Sequence, residues 1–302
     1  MSSTAVSPGE TLRAKLQARR GLLVPGCGNA LAARVIESRG FEAVYLSGAG
    51  LTNSFFGLPD LGFMNLGDLA QHTAAIREVI QIPLIVDADT GFGNALNVRQ
   101  TVRTLERAGA NAIQLEDQVM PKKCGHFSDK AIVDASEMVG KIHAATDARS
   151  SADFLLIART DALGVTGIND ALERAQRYAE AGADVTFVEA PTSVAELRRI
   201  VAMPIPQVVN IVIGGKTPAL SAMEFAQMGF GMVLYANAAL QGAVRGMMNA
   251  LERLQRNGIL EEDVSLVATF EERQALVHKN VFDDLDRRYG GESPKAPPRG
   301  QR

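Results

Sequence analysis

Along this chain one unit recurs: a short apolar run, a polar or glycine-rich loop, then a stretch with helical periodicity. The apolar runs are LLVP at 22–25, AVYLS at 43–47, PLIVDAD at 83–89 and AIQLED at 112–117, then FLLIART at 154–160, VTFVEA at 185–190, QVVNIV at 207–212 and MVLYAN at 232–237. AGA or RG signatures stand just before several of them, at 39–40, 108–110 and 181–183, where a helix C-terminus turns into the next strand. Eight such units read as an α/β chain closed into a (β/α)8, or TIM, barrel. A doubly wound open sheet is the alternative, but the first strand is not followed by a G-x-G-x-x-G turn.

The rhythm assigns 1–10 to a flexible tail, 11–290 to one barrel domain and 291–302 to a disordered, proline-rich tail. A first helix over 11–20 is expected to lie across the barrel end. About three helical stretches follow Asn237, more than one barrel helix requires. The surplus is expected to pack on a neighbouring subunit. Two long connections break the pattern: a glycine-rich loop at 48–65 carrying Asp60, and the segment 118–129, which reads QVMPKKCGHFSD. Long loops at the active face of a barrel are usually binding loops.

The strands end in polar groups: Ser47, Asp87 with Asp89, Glu116 with Asp117, Arg159 with Asp161, Glu189, Asn210 and Asn237. In a barrel those ends converge on one pocket. Strand alternation puts Asp87 and Asp89 on one face, where two acids repel unless a cation lies between them. A hard divalent ion, Mg2+, fits such a pair, and Gly91 and Gly93 let the chain turn beside it. The competing reading makes these aspartates caps of the next helix. Convergence of the strand ends favours the metal.

Composition narrows the setting. Of 302 residues, 31 are basic and 34 acidic, a net charge of −3 that advertises no nucleic-acid partner. No apolar span approaches membrane length, and the N-terminus has no signal-peptide pattern. The two cysteines, Cys27 and Cys124, form no secreted framework, so a cytoplasmic location with Cys124 as a free thiol is expected. Cys124 follows two lysines and precedes Gly125 and His126, a setting that favours a reactive thiol. Nucleophile and general acid–base both stay open for it. Cys27 reads as a small loop residue, and His72, His143 and His278 as surface or packing residues. Tyr45 suits core packing or ligand contact equally, and Glu189 suits an ion-pair partner at the rim or a site wall.

YLSGAG (45–50), GLPDLGF (57–63), DADTGFGN (87–94), LEDQ (115–118), PKKCGH (121–126), ARTDA (158–162) and GGKTP (214–218) occur in order. On these motifs the chain resembles the isocitrate lyase/phosphoenolpyruvate mutase superfamily. The similarity runs from Leu12 to about Arg253, and is strongest to the branch of 2-methylisocitrate lyase, 2,3-dimethylmalate lyase and carboxyphosphonoenolpyruvate mutase. It implies a barrel enzyme that uses Mg2+ (or Mn2+), a homotetramer with terminal helices swapped between subunits, and a 2-hydroxy or 2-oxo dicarboxylate as small-molecule partner.

By the same resemblance Asp87 and Asp89 hold the metal, and Asp60 and Glu116 reach it through water. Cys124 protonates a carbanion, while Arg159 and His126 hold the growing negative charge. Tyr45, Ser47, Gly48, Ala49, Gly125, Glu189 and Asn210 bind substrate. The reaction implied is carbon–carbon cleavage of a malate-like, alkyl-substituted 2-hydroxy dicarboxylate to a 2-oxo acid such as pyruvate plus a smaller carboxylate. Oxaloacetate hydrolysis or decarboxylation, a carboxyphosphonate-type mutase reaction and a non-catalytic metabolite-binding role are the alternatives. Two departures stand out: Ile213 occupies a family glutamate position, and Gln241 the place of an arginine that grips a carboxylate. Loss of that cation argues against a tricarboxylate, because a buried unpaired carboxylate is costly.

Overall fold

A computed structural model describes residues 6–122 and 130–290. Among them are eight strands: β1 (Leu22–Cys27), β2 (Val44–Leu46), β3 (Leu84–Asp87), β4 (Ala112–Glu116), β5 (Leu155–Thr160), β6 (Val185–Val188), β7 (Gln207–Asn210) and β8 (Met232–Tyr235). Each pairs in parallel with the next, and β8 pairs with β1, so the sheet closes into the expected barrel. Helices α1 (Pro8–Gln17), α2 (Ala30–Ser38), α3 (Gly48–Phe56), α4 (Leu66–Arg77), α5 (Ala95–Arg107) and α6 (Ala135–Ala148) come in the first half. A 3-10 turn at Ala162–Gly164 precedes α7 (Ile168–Glu180), α8 (Val194–Val201), α9 (Ala222–Met228), α10 (Ala238–Asn257), α11 (Phe270–Leu276) and α12 (Lys279–Tyr289).

The strand period of two sorts the apolar residues into separate cores. Ile85, Ala112, Leu155, Val185, Val208 and Met232 fill the barrel interior. Their neighbours Val86, Ile113 and Leu156 pack outward against the helices. Leu12 and Leu16 of α1 join the interior cluster and are fully buried, which closes one end of the barrel. Truncating Leu12 to alanine should therefore cost about 2–5 kcal/mol.

Two segments differ from expectation. The first helix occupies 8–17 rather than 11–20, so the tail ends earlier than residue 10. Ser7 accepts the Glu10 amide as N-cap and Pro8 takes the first turn. Gly9 lies so close to Asp153 that a Cβ would fall 2.4 Å from its carbonyl oxygen. The glycine-rich loop from residue 48 is, over Gly48–Phe56, helix α3. Ser47 caps it by accepting the Gly50 amide, and Gly28 and Gly50 let its backbone approach β1. Glycine disfavours an isolated helix, but the close approach here leaves no space for a side chain.

The base of the long excursion after β4 is a short antiparallel ribbon. Gln118 bridges Ile132, Val119 donates to the Ala131 carbonyl, and Val133 donates to that of Asp117.

The chain divides into two compact units, residues 1–243 and 244–302. In the second, α11 and α12 contain no buried residue, and Met247, Met248, Leu251, Phe270 and Phe282 are exposed.

Candidate active site

The alternation that fills the barrel also builds the cleft above it. Continuing along inward positions, β2 offers Tyr45, β3 Asp87, β4 Gln114 and Glu116, β5 Arg159, and β6 Phe187. Glu189 just after β6 and Asn210 at the end of β7 continue the ring. Register sets neighbours: Asp87 stands opposite Gln114, and Glu116 opposite Arg159. With Ser47, Ala49, Asp60, Lys122 and Asn237 these residues line one cleft.

On one side three carboxylates meet one ammonium. Asp87 ends β3, whereas Asp89 lies past the strand in the left-handed region, at φ 48°. Simple alternation therefore does not align them; a turned backbone does. Both carboxylates still reach one spot, because a Cβ on Gly48 would stand 3.1 Å from Asp87 Oδ2 and 3.3 Å from Asp89 Oδ1. Neither caps the next helix, which Asn94 caps. Tyr45 donates to Gln114 Oε1 at 2.7 Å, and Gln114 Nε2 lies 3.3 Å from Asp87 Oδ1, which orients that carboxylate.

The ammonium belongs to Lys122, which is almost wholly buried. Its Nζ lies 2.6 Å from Asp60 Oδ1 and 2.9 Å from Asp89 Oδ1. Burial lowers the Lys122 pKa, but Asp89, Asp87 and Asp60 outweigh it and hold the pKa well above the ordinary lysine value. Burial pushes Asp89 up to about 7, against the pull of Lys122 and with help from Asp87 and Asp60. Tyr45 is raised as well, by burial first and then by Asp87.

On the other side Arg159 gathers three carboxylates. Asp161 takes it in a fork, with Nε 2.9 Å from Oδ2 and Nη2 3.1 Å from Oδ1. Glu116 and Glu189 each lie 3.4 Å from the guanidinium, which also sits 5.3 Å over the Phe187 ring. Burial opposes the charge on Arg159, yet Asp161, Glu116 and Glu189 hold its pKa well above the usual range. Glu116 is raised, chiefly by burial, with Arg159 opposing and Asp161 adding to the rise.

The carboxylate side has the chemistry of a hard-cation site. When ionised, three acids against one lysine leave two negative charges, the complement of one divalent ion. Gly48 keeps open the space between them, and Glu116 Oε1 is buried with no hydrogen bond. Among the described residues no three His, Cys, Asp or Glu side chains form a ready ligand cage. An ion of the Mg2+ type needs only one or two carboxylates, with water and substrate oxygens supplying the rest. The residues present fit such an ion.

Of the residues read from sequence, Tyr45, Ser47, Ala49, Asp60, Asp87, Glu116, Arg159, Glu189 and Asn210 line the cleft. Gly48 and Asp89 flank it. Cys124, Gly125 and His126 lie outside the described residues. Ile213 is 53% exposed and, like Gln241, is not part of the lining, so neither departure alters a described wall. Cys27 is buried, with burial pushing its thiol up to about 12, which suits a small packing residue. His72 stacks edge-on to Phe55. Sequence reasoning missed Lys122 and Gln114. Lys122 stood in view in the PKKCGH motif, and Gln114 interrupts the apolar run AIQLED. Among the described residues no helix is long and apolar enough to cross a membrane.

Comparisons with known proteins agree with this architecture. The family model described as phosphoenolpyruvate phosphomutase matches residues 12–255. The 2-methylisocitrate lyase of Aeropyrum pernix is 43% identical over 280 residues, covering 92% of this chain and 90% of that protein. The crystal structure of 2,3-dimethylmalate lyase, a PEP mutase/isocitrate lyase superfamily member, superposes with a TM-score of 0.89 at 35% identity, covering 95% of this chain and 97% of that one. A phosphonopyruvate hydrolase in complex with oxalate and Mg2+ superposes with a TM-score of 0.83 at 32% identity, covering 94% and 99%. The resemblance carried by the sequence motifs is thereby confirmed: this chain belongs to the phosphoenolpyruvate phosphomutase family, within the PEP mutase/isocitrate lyase superfamily of enzymes.

Proposed function

We propose that this chain is a Mg2+-dependent lyase that cleaves a carbon–carbon bond in a malate-like, alkyl-substituted 2-hydroxy dicarboxylate. The products are a 2-oxo acid such as pyruvate and a smaller carboxylate. One observation carries the reading: a divalent-ion type of carboxylate cluster and the Arg159 guanidinium face each other across one cleft. That arrangement supports a substrate with a hydroxy-acid end at one pole and a second carboxylate at the other. The similarity to 2-methylisocitrate lyase and 2,3-dimethylmalate lyase supports the same chemistry. The oxalate and Mg2+ held by phosphonopyruvate hydrolase support the metal.

Held by Asp87 and Asp89, with Asp60 and Glu116 reached through water, Mg2+ would acidify the substrate hydroxyl and offset the charge left on its oxygen. Ser47, Gly48 and Ala49 begin helix α3, whose N-terminal amides favour a bound carboxylate. Arg159 holds the other carboxylate, onto which negative charge spreads as the bond breaks. Cys124, assigned from sequence, delivers the thiol proton to the carbanion carbon, with His126 supporting the charge. Among the described residues Lys122 and Arg159 are the cations lining the cleft. A dicarboxylate therefore matches better than a tricarboxylate. The exposed apolar residues of α10–α12 are assigned to contacts between subunits of a homotetramer, and the chain to the cytoplasm.

The test is pyruvate release, coupled to a dehydrogenase, from purified protein with Mg2+ and a panel of alkyl-substituted malates, with oxaloacetate and a phosphonopyruvate as competing substrates. Turnover of a substituted malate is expected. Pyruvate from oxaloacetate alone assigns a decarboxylase instead, and oxalate and acetate from oxaloacetate, read by a separate oxalate assay, assign a hydrolase.

A further inference from the structure

Asp161 has two cationic partners, and the second has no place in the chemistry above. Its Oδ1 accepts from Arg159 Nη2 and also from Lys130 Nζ at 2.6 Å. The carboxylate is fully buried and the Lys130 side chain is 5% exposed, although Lys130 stands at the return of the long excursion after β4. Its stem runs over Gly164, with Cε 3.7 Å from where a Cβ would be. The ribbon 117–119 with 131–133 fixes the chain beside it.

The far side of Asp161 is fixed as well. Its amide donates to Asp117 Oδ1 at 2.9 Å. Asp117 Oδ2 in turn accepts from Thr160 Oγ1 at 2.7 Å and Tyr178 at 2.8 Å, with Arg174 at 3.3 Å. Arg174 also donates to the Val133 carbonyl in the ribbon. Asp161 is therefore a rigid pivot shared between a cleft-facing guanidinium and the stem of the excursion.

We propose that Lys130 is a positioning residue that acts through Asp161 on Arg159. Arg159 must present charge to the substrate while gripped by a carboxylate that neutralises it. A second cation on the same oxygen draws off part of that negative charge and fixes the angle of the fork. Removing it leaves the whole Asp161 charge on Arg159 and frees the carboxylate to rotate. Burial works to raise the Asp161 pKa, yet Arg159 and Lys130 together hold it below the ordinary value, as a shared anion requires. Small misplacements of a charge-stabilising group cost about a hundredfold in rate.

This inference rests on the role proposed for Arg159, so its test has two arms. In the first, kcat and KM are measured for wild type, Lys130→Met, Lys130→Arg, Asp161→Asn and the Lys130→Met/Asp161→Asn double variant. Lys130→Met should lose about tenfold to hundredfold in kcat, and Lys130→Arg should recover most of it. The double variant should be no worse than Asp161→Asn alone, because one residue acts through the other. Multiplying losses in the double variant, or a Lys130→Met kcat within twofold of wild type, overturns the proposal. The second arm needs no turnover: affinity for 3,3-difluorooxaloacetate with Mg2+, a dicarboxylate long enough to reach both poles, should fall in Lys130→Met by calorimetry, with the same non-additivity. Wild type that binds this inhibitor but turns over no substrate refutes the lyase reading alone. Unchanged inhibitor affinity in Lys130→Met refutes this one.

Discussion

Asp89 and Asp117 are both buried aspartates just past the ends of neighbouring strands, yet their surroundings are opposite. Asp117 accepts from a backbone amide, a threonine and a tyrosine, and is faced by Arg174. Burial raises its pKa, with a small further rise from Asp161, while the Asp161 amide, Thr160 and Tyr178 pull it back. Asp89 faces Asp87 and Asp60 and is neutralised only in part by Lys122. A carboxylate furnished with neutral donors and its own cation is finished, and its work is structural. One crowded by like charge calls for a further cation, and that is the mark of a ligand site.

The sharpest way to break this comparison is to remove each acid. Asp87→Ala or Asp89→Ala should lower turnover by about a thousandfold or more while thermal unfolding stays cooperative, and EDTA should mimic the loss. Cys124→Ser should fall as far, since a hydroxyl is a much weaker acid than a thiol. Near-wild-type turnover of Cys124→Ser removes the thiol from the mechanism.

Next comes pH. Because the folded Asp89 carboxyl titrates near 7, metal entering below that pH must displace a proton. Metal affinity should fall about tenfold per unit below pH 7, and level off above it. The metal-free fold binds more protons than the unfolded chain between about 4 and 7, so this group's contribution to stability declines as pH rises through that window. Calorimetric titrations at pH 5, 6 and 8 check the first statement; a flat profile contradicts it.

Asp117→Asn should do the reverse of the Asp89 change. It costs about 3 kcal/mol in denaturant unfolding, because Tyr178, Thr160 and Arg174 lose a charged acceptor. Folded molecules should still bind metal with unchanged affinity. The smallest effect expected is that of Gly48→Ala, whose Cβ crowds Asp87 and Asp89 by a few tenths of an ångström. Metal affinity should drop about tenfold, with little change in melting temperature.

Much of this was legible in the sequence because the strand code is local. Each apolar run became a strand, and polar residues at the run ends such as Glu116 and Arg159 line the cleft, whereas Asp117 and Asp161 turn into the network behind it. What escaped was set by tertiary contact. Helix α3 forms from a glycine-rich segment because Ser47 caps it and Gly50 packs on β1, and composition alone argues for a loop. Asp89 arrives by a left-handed turn, so strand alternation is not what brings it beside Asp87. Lys122 read as part of a basic loop, whereas it is the buried countercharge of three acids.

Mn2+ titration followed by electron paramagnetic resonance at pH 8, on wild type, Asp87→Asn and Asp89→Asn, tests most directly whether Asp87 and Asp89 hold one divalent ion. One site per chain in wild type, weakened at least about a hundredfold in either variant, is the result predicted; a Mn2+ site of wild-type affinity in both variants would contradict it.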